Sequence, residues 1–239
     1  AVRRRMNFIP TRSRGFPLAA LLLWGVAAGA APPQKITLEY ALSRDGSVLG
    51  SVVDTIEHDG KTYSIESEIR GTGIFAALGV LMRRTSRGNI TSQGLQPLEF
   101  REKRLGKSEM KAKFDWVKHA LTHEREGKSE TQPMPPSPQD ELSMAYSFAF
   151  APPPSGEIVF TRINGRGVTP FRFLVVGTEK LRTSMGEIEA LHLSKLRDGP
   201  DDKATDIWFA SDRNFLPVRV LAVDRDGTRD DQSVTRVAP

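Results

Sequence analysis

From Ile36 to the C-terminus, short stretches of alternating apolar and polar residues are separated by Gly, Asn, Asp or Pro, and long helical periodicity is nearly absent. Alternation with period two sends successive side chains to opposite faces, so this rhythm predicts half-buried strands joined by tight turns. The clearest unit covers residues 48–69. Val53, Thr55 and Glu57 alternate with their neighbours, His58-Asp59-Gly60-Lys61 supplies a turn, and Thr62-Tyr63-Ser64-Ile65 returns. The Asp-Gly pair predicts a type I′ hairpin there, because that turn needs positive φ at both central residues. Strands are expected near residues 36–44, 47–57, 61–70, 84–92, 97–105, 108–115, 120–126, 156–162, 168–177, 179–183, 187–197, 204–210, 215–224 and 228–237. So many strands exceed what one flat sheet holds, and the sheet must curl or split.

Two segments break the pattern and are expected to be helical. Residues 74–82 are apolar nearly all round, and residues 140–150 open with Asp140 and Glu141, acids that suit a helix N-terminus. Proline clusters flank the second, at Pro133-Met134-Pro135-Pro136-Ser137-Pro138 and at Pro152-Pro153-Pro154. Proline has no N–H to give to a ladder, so these clusters divide the chain into halves, about 34–132 and 155–239. Neither half carries a helical layer to cover its own sheet. The expectation is one all-β domain over 31–239, an antiparallel curled sheet with two short helices, forming a half-open barrel or β-roll.

The first thirty residues have a different logic. Arg3, Arg4, Arg5, Arg12 and Arg14 occur without an acid, an apolar stretch follows over 16–31, and it closes on small residues with Ala28-Gly29-Ala30. That order predicts a secretory signal peptide over 1–30, cut after Ala30 by signal peptidase and sent through the general secretion machinery to the periplasm. Met6 is a candidate start within it. The whole chain has 34 Lys and Arg against 29 Asp and Glu; the leader holds five of the cations, so the remainder carries no net formal charge. The basic pI of 9.6 therefore belongs to the leader and gives no ground for nucleic-acid binding. The chain has no cysteine, which removes disulfides, thiolate metal sites, thiol nucleophiles and a lipidated N-terminal cysteine.

Motifs that usually carry chemistry are weak in this chain. Gly71-Thr72-Gly73-Ile74-Phe75-Ala76 fits a loose dinucleotide fingerprint but lacks the parallel βαβ setting. His119 and His123 are four apart, yet Ala120 stands where a zincin needs its Glu. Asp198, Asp201, Asp202 and Asp206 form an acidic loop without EF-hand spacing, and a solvated turn is the plainer reading. No Ser lies in GxSxG, and Ser143 suits a helix cap. No metal, cofactor or catalytic residue is expected.

The apolar stretch over 74–82 is the most informative functional feature. A helix without a polar face must be buried or must cover something apolar. It can plug one end of the curled sheet, act as a lid over a cavity for a hydrophobic ligand, or touch a membrane surface. The second reading makes Ile74, Phe75, Leu78, Leu81, Trp116 and Trp208 the candidate ligand-binding residues, with Phe209 beside them. Core filling is the plainer role for the tryptophans. Three functions follow: a non-enzymatic periplasmic protein that binds a hydrophobic or envelope-derived ligand; an interaction module that docks an envelope partner by strand addition; or a hydrolase of envelope polymers using acids around Asp115, Asp140 or Glu141.

A set of phrases in fixed order runs through nearly all of the chain after the leader: Tyr40 with Gly50, Gly94-Leu95-Gln96-Pro97, Phe114-Asp115-Trp116, Gln139-Asp140-Glu141-Leu142-Ser143, Gly186 before Ala190-Leu191, and Ile207-Trp208 with Leu216-Pro217-Val218. In this order they resemble the bacterial domain-of-unknown-function family 3108. The resemblance implies an exported, β-rich envelope protein of Gram-negative bacteria with no assigned activity, and it supplies no catalytic residues to carry over.

Overall fold

A computed structural model describes residues 32–165, 167–199 and 202–239, which form one unit; the expected leader, 1–30, lies outside them. Eight strands come first: β1 (Lys35–Arg44), β2 (Ser47–His58), β3 (Thr62–Gly71), β4 (Val80–Thr91), β5 (Gly94–Arg104), β6 (Met110–Asp115), β7 (Ala120–Arg125) and β8 (Lys128–Pro133). Each pairs antiparallel with the next. A short strand β9 (Pro138–Asp140) leads into a six-residue helix α1 (Glu141–Tyr146) and a 3-10 turn, Ser147–Ala149. Six strands complete the chain: β10 (Glu157–Asn164), β11 (Gly167–Thr183), β12 (Gly186–Lys195), β13 (Ala204–Ala210), β14 (Leu216–Val223) and β15 (Arg229–Ala238).

All fifteen strands belong to one sheet, in the order β8-β7-β6-β5-β4-β3-β2-β1-β15-β14-β13-β12-β11-β10-β9. The first and last strands pair antiparallel in the middle of this order, and among the described residues β8 and β9 are the two unpaired edges of the curled sheet, facing an open seam. The expected all-β curled sheet is therefore the fold, and it is not a closed barrel. At the seam the chain runs through four prolines in six residues, Pro133 to Pro138, and none of the four can donate to a ladder. The link instead turns inward: Ser137 O accepts from the Thr161 N–H, Pro136 O accepts from the Thr161 hydroxyl, and β9 pairs parallel with β10.

Alternation decides what lines the interior. Ile36, Leu38 and Tyr40 of β1, Val52 and Ile56 of β2, Tyr63 and Ile65 of β3, Phe100 of β5 and Leu121 of β7 are all buried in one cluster with Leu142 and Tyr146 of α1. A fully buried side chain of this size contributes about 1.5–3 kcal/mol relative to exposure. A second cluster, built on Phe160, Phe171, Phe173, Leu193, Ile207 and Phe209, packs against Met144 and Phe148 from the helical segment. In β13 four successive residues, Ile207 to Ala210, are buried, so both faces of that strand are covered.

Several expectations are corrected. Residues 74–82 do not form a buried helix. Gly73–Leu78 make one 3-10 turn closed by Gly79 at φ +68°, and residues 80–82 continue as β4, pairing with β3. A short apolar run has no inherent preference between helix and strand, and the open edge of β3 settles it. Leu78 is left 51% exposed at the end of the 3-10 segment. The interior helix is α1. Residues 168–183 form one strand, β11, with a bulge between Val175 and Gly177, where two strands were expected. The loop at Asp59-Gly60 is not type I′: only Gly60 has positive φ, and the Asp59 side chain accepts from the Lys61 and Thr62 N–H groups. Asp45-Gly46 and Glu126-Gly127 carry positive φ at both residues and join β1 to β2 and β7 to β8.

Gly94 ties the helical segment to the sheet. Its φ is +104°, and a Cβ there would overlap Ser147 Oγ, the atom that accepts the Leu95 N–H at 3.0 Å. Gly94→Ala is expected to lower the unfolding free energy by about 2 kcal/mol, from both the strained φ and the displaced serine. Urea unfolding checks this, and a change under about 0.5 kcal/mol would show that Ser147 is not an anchor.

Candidate functional site

The segment from Gln139 to Ala149 enters the curled sheet and is held there by polar bonds to five strands, β1, β2, β4, β5 and β10. Asp140 is the N-cap of α1. Its Oδ1 accepts the Leu142 and Ser143 N–H groups at 2.9 Å each, and Ser143 Oγ accepts the Asp140 N–H in return. Asp140 Oδ2 takes the Ser86 hydroxyl of β4 at 2.6 Å, and Ser86 meets the Tyr63 hydroxyl of β3 at 3.0 Å. Burial pushes the Asp140 carboxyl up to about 6, against the pull of these donors. At the other end of α1, Tyr146 donates to Asp54 Oδ2 of β2 at 2.5 Å, and Tyr40 of β1 donates to Pro217 O of β14 at 2.8 Å. Burial holds both phenols well above their ordinary value, so they act as protonated donors. Burial likewise raises Asp54, while Ser67, Tyr146 and the charge of Arg84 oppose it.

Glu141 faces the other way. Arg84 Nη1 is 2.7 Å from its Oε2, Asn164 Nδ2 donates to its Oε1 at 2.6 Å, and Arg162 Nη1 is 3.6 Å from the same oxygen. Burial alone would raise this carboxyl, but the Arg84 charge, the Asn164 bond and the Arg162 charge hold it below the usual value.

Between α1 and the inner face of the sheet lies a cavity of about 570 Å³. Its apolar wall is made by Leu142 and Met144 of the helix, Phe171 and Phe173 of β11, Ile207 of β13 and Val220 of β14. Phe160, Phe171 and Phe173 form a near-parallel ladder with centroids about 6 Å apart. Arg162 lies 4.3 Å and Lys195 4.8 Å from the Phe171 centroid, so cations cover part of this apolar surface. The polar lining nearest the helix start includes Asp54, Ser67, Arg84 and Glu141, and Arg162, Lys195, Asp202 and Lys203 add further charged groups. A second space of about 460 Å³, lined by Leu95, Trp116, Phe148, Ile158 and Phe160, shares Met144 with the first. Volumes of this size suit small amphiphilic ligands.

Of the six residues expected from sequence, the four with described side chains, Leu78, Leu81, Trp116 and Trp208, are not brought together in one cavity. Trp116 lines the smaller space and donates Nε1 to Pro97 O at 2.7 Å. Trp208 is buried outside both spaces, stacked on His192 at 4.5 Å with its Nε1 on Glu179. Leu81 is half-buried in β4, and Leu78 is exposed on the turn; neither lines these cavities. The side chains of Ile74 and Phe75 lie outside the described residues. The residues that do form the main cavity come from strands far apart in sequence. Their available signal was a polar residue at an inward position, as with Asp54 between Val52 and Ile56.

The remaining motifs are structural. β3 and β4 are antiparallel, so the glycine pair at Gly71 and Gly73 has no βαβ setting. His119 sits at φ +50° in the turn before β7, while His123 is half-buried within it. Asp202 is bound by Lys195 and Asp206 by His192; Asp201 lies outside the described residues. Among the described residues there is no group of three or more His, Asp or Glu fit to hold a metal. Asp115 accepts the Lys118 N–H in a surface turn, Asp140 caps α1 and Glu141 is salt-bridged, so these acids do not face one another across one cleft.

The fold and site define a curled antiparallel β-sheet protein with an internal helix and an amphipathic interior cavity. The chain belongs to the family of proteins of unknown function DUF3108, whose model matches residues 37–231. Among solved structures, a β-barrel-like protein of the domain of unknown function DUF1849 from Brucella abortus is similar with a TM-score of 0.55 at 12% identity, covering 87% of this chain and 99% of that one. That likeness is one of fold. A candidate lipoprotein from Parabacteroides distasonis aligns at a TM-score of 0.39 and 8% identity over 87% of this chain and 97% of that one. A comparison with curated proteins gives no match.

Proposed function

We propose that this chain is a non-enzymatic protein of the bacterial periplasm that holds a hydrophobic or envelope-derived ligand inside its curled sheet. The observation that carries the reading is the 570 Å³ space beside α1, with an apolar wall on one side and polar groups on the other. Export rests on the leader-like residues 1–30. A sheet whose only purpose was scaffolding would be expected to fill this space, since interiors pack to crystal-like density.

The test is native mass spectrometry and lipid extraction of protein purified from periplasm, beside an Ala222→Trp variant. Ala222 lines the cavity from β14 and makes no side-chain hydrogen bond, so an indole in place of its methyl group removes volume from the space without deleting a polar partner. The wild type is expected to carry a lipid-extractable ligand and the variant to lose it. Ligand-free wild-type protein, or equal loading of both, removes the proposal.

One observation favours a second reading. β8 has a partner on one edge only, its residues are almost all exposed, and a groove of about 550 Å³ separates it from the β10–β11 turn. An open edge is a template for an extended segment of a partner protein. Crosslinking from Glu130 in cells that recovers no recurrent partner would set it aside.

A further inference from the structure

We infer that the ligand of the 570 Å³ cavity has an uncharged head group that both donates and accepts a hydrogen bond, an alcohol or amide on an apolar chain. This rests on the proposed ligand-binding role of that cavity and names the chemistry it selects.

The first argument is charge. The cations at the cavity are Arg84, Arg162, Lys195 and Lys203. Each is committed: Arg84 and Arg162 to Glu141, Lys195 to Asp202 at 2.5 Å, and Lys203 to Asp224 at 2.8 Å and Asp230 at 3.4 Å. Asp54 adds a carboxyl group near Arg84. An anionic head would have to displace Glu141 or lie beside it and Asp54, at low dielectric where like charges repel strongly. A cationic head would meet Arg84, Arg162 and Lys195 instead. Neither sign finds a free counter-charge at the described lining.

The second argument is hydrogen bonding. Arg84 Nε–H, a donor, and Asp54 Oδ1, an acceptor, are both buried, both belong to cavity-lining residues, and neither has a hydrogen-bond partner. Buried polar groups are nearly always satisfied, and each orphan needs an explanation. A hydroxyl accepts from the first and donates to the second. A carboxylate cannot donate to Asp54, and an ether cannot either.

A matched ten-carbon series tests this: decan-1-ol, its methyl ether, decanoate and decylammonium, each titrated calorimetrically into ligand-stripped protein and into Asp54→Asn. Decan-1-ol is expected to bind wild type about tenfold more tightly than the ether, because only the alcohol satisfies Asp54 Oδ1. Both charged probes are expected to be weaker still. In Asp54→Asn the amide can keep its oxygen on Tyr146 and present N–H₂ to the cavity, so alcohol and ether should bind alike. Equal binding of alcohol and ether to wild type, or decanoate as the tightest probe, overturns the head-group inference while leaving the cavity reading intact. If none of the four binds, the cavity reading itself falls. Should Asp54→Asn fail to fold, the wild-type series alone decides.

Discussion

Asp140→Ala is expected to lower the unfolding free energy at pH 7 by about 3 kcal/mol, while Asp140→Asn costs less than about 1 kcal/mol. Alanine leaves the Leu142 and Ser143 N–H groups in the first turn of α1 and the Ser86 hydroxyl without their acceptor in a site closed to solvent. Asparagine is as good an N-cap as aspartate, and its amide can donate to Ser86. The pair also has a pH signature. The folded carboxyl is pushed up to about 6 from 3.8, so the native state holds the proton more tightly than the unfolded chain. Such a group adds stability that is fully present below about pH 3.8 and lost as pH rises through 6, an amplitude of about 3 kcal/mol. The difference in stability between wild type and Asp140→Asn should therefore favour wild type at pH 4 and shrink or reverse by pH 7. Urea unfolding at both pH values measures it, and a pH-independent difference would mean that Asp140 is not buried as a charged cap.

The legible part of this fold is the part where alternation coincides with burial. β1 to β3 and β6 bury residues at alternate positions, most of them apolar, and the pattern placed these strands closely. β8, with the sequence Lys-Ser-Glu-Thr-Gln-Pro, buries nothing and so carries no apolar signal; it is held to β7 by the backbone ladder and one exposed hydroxyl pair, Thr122 and Thr131, at 2.9 Å. β9 begins at a proline and is held by a parallel pairing that no local rule encodes. The helix at 140–150 was legible through its acids, and Ser143 proves to be the other half of the capping box. Its destination was not legible, because the contacts of Tyr146 with Asp54 and Tyr40 span 92 and 106 residues. For the same reason the cavity could be anticipated as a kind of feature while its residues could not. Apolar character at 74–82 suggested a helix where the chain makes a 3-10 segment and then a strand, since hydrophobicity reports a need for burial and not the backbone that meets it.

Tyr146→Ala is expected to cost about 4 kcal/mol, and Tyr146→Phe about 2 kcal/mol. The alanine variant removes a fully buried ring from the interior cluster and opens a hole that the surrounding strands cannot collapse to fill. The phenylalanine variant keeps the ring and deletes one hydroxyl. That hydroxyl donates to Asp54 Oδ2 at 2.5 Å, on a buried carboxyl whose other oxygen has no hydrogen-bond partner. A buried acid stripped in this way loses the interaction that offsets its desolvation. Removing the acid as well should then recover much of the loss: Tyr146→Phe combined with Asp54→Leu replaces both partners by apolar groups of similar shape, and such exchanges are close to neutral. The double-mutant cycle, followed by urea unfolding at pH 7, should give a coupling energy of about 1–3 kcal/mol. Additive losses would mean that Tyr146 acts through ring packing alone, and the bond from α1 to β2 would no longer explain how the helix is kept inside an unclosed sheet.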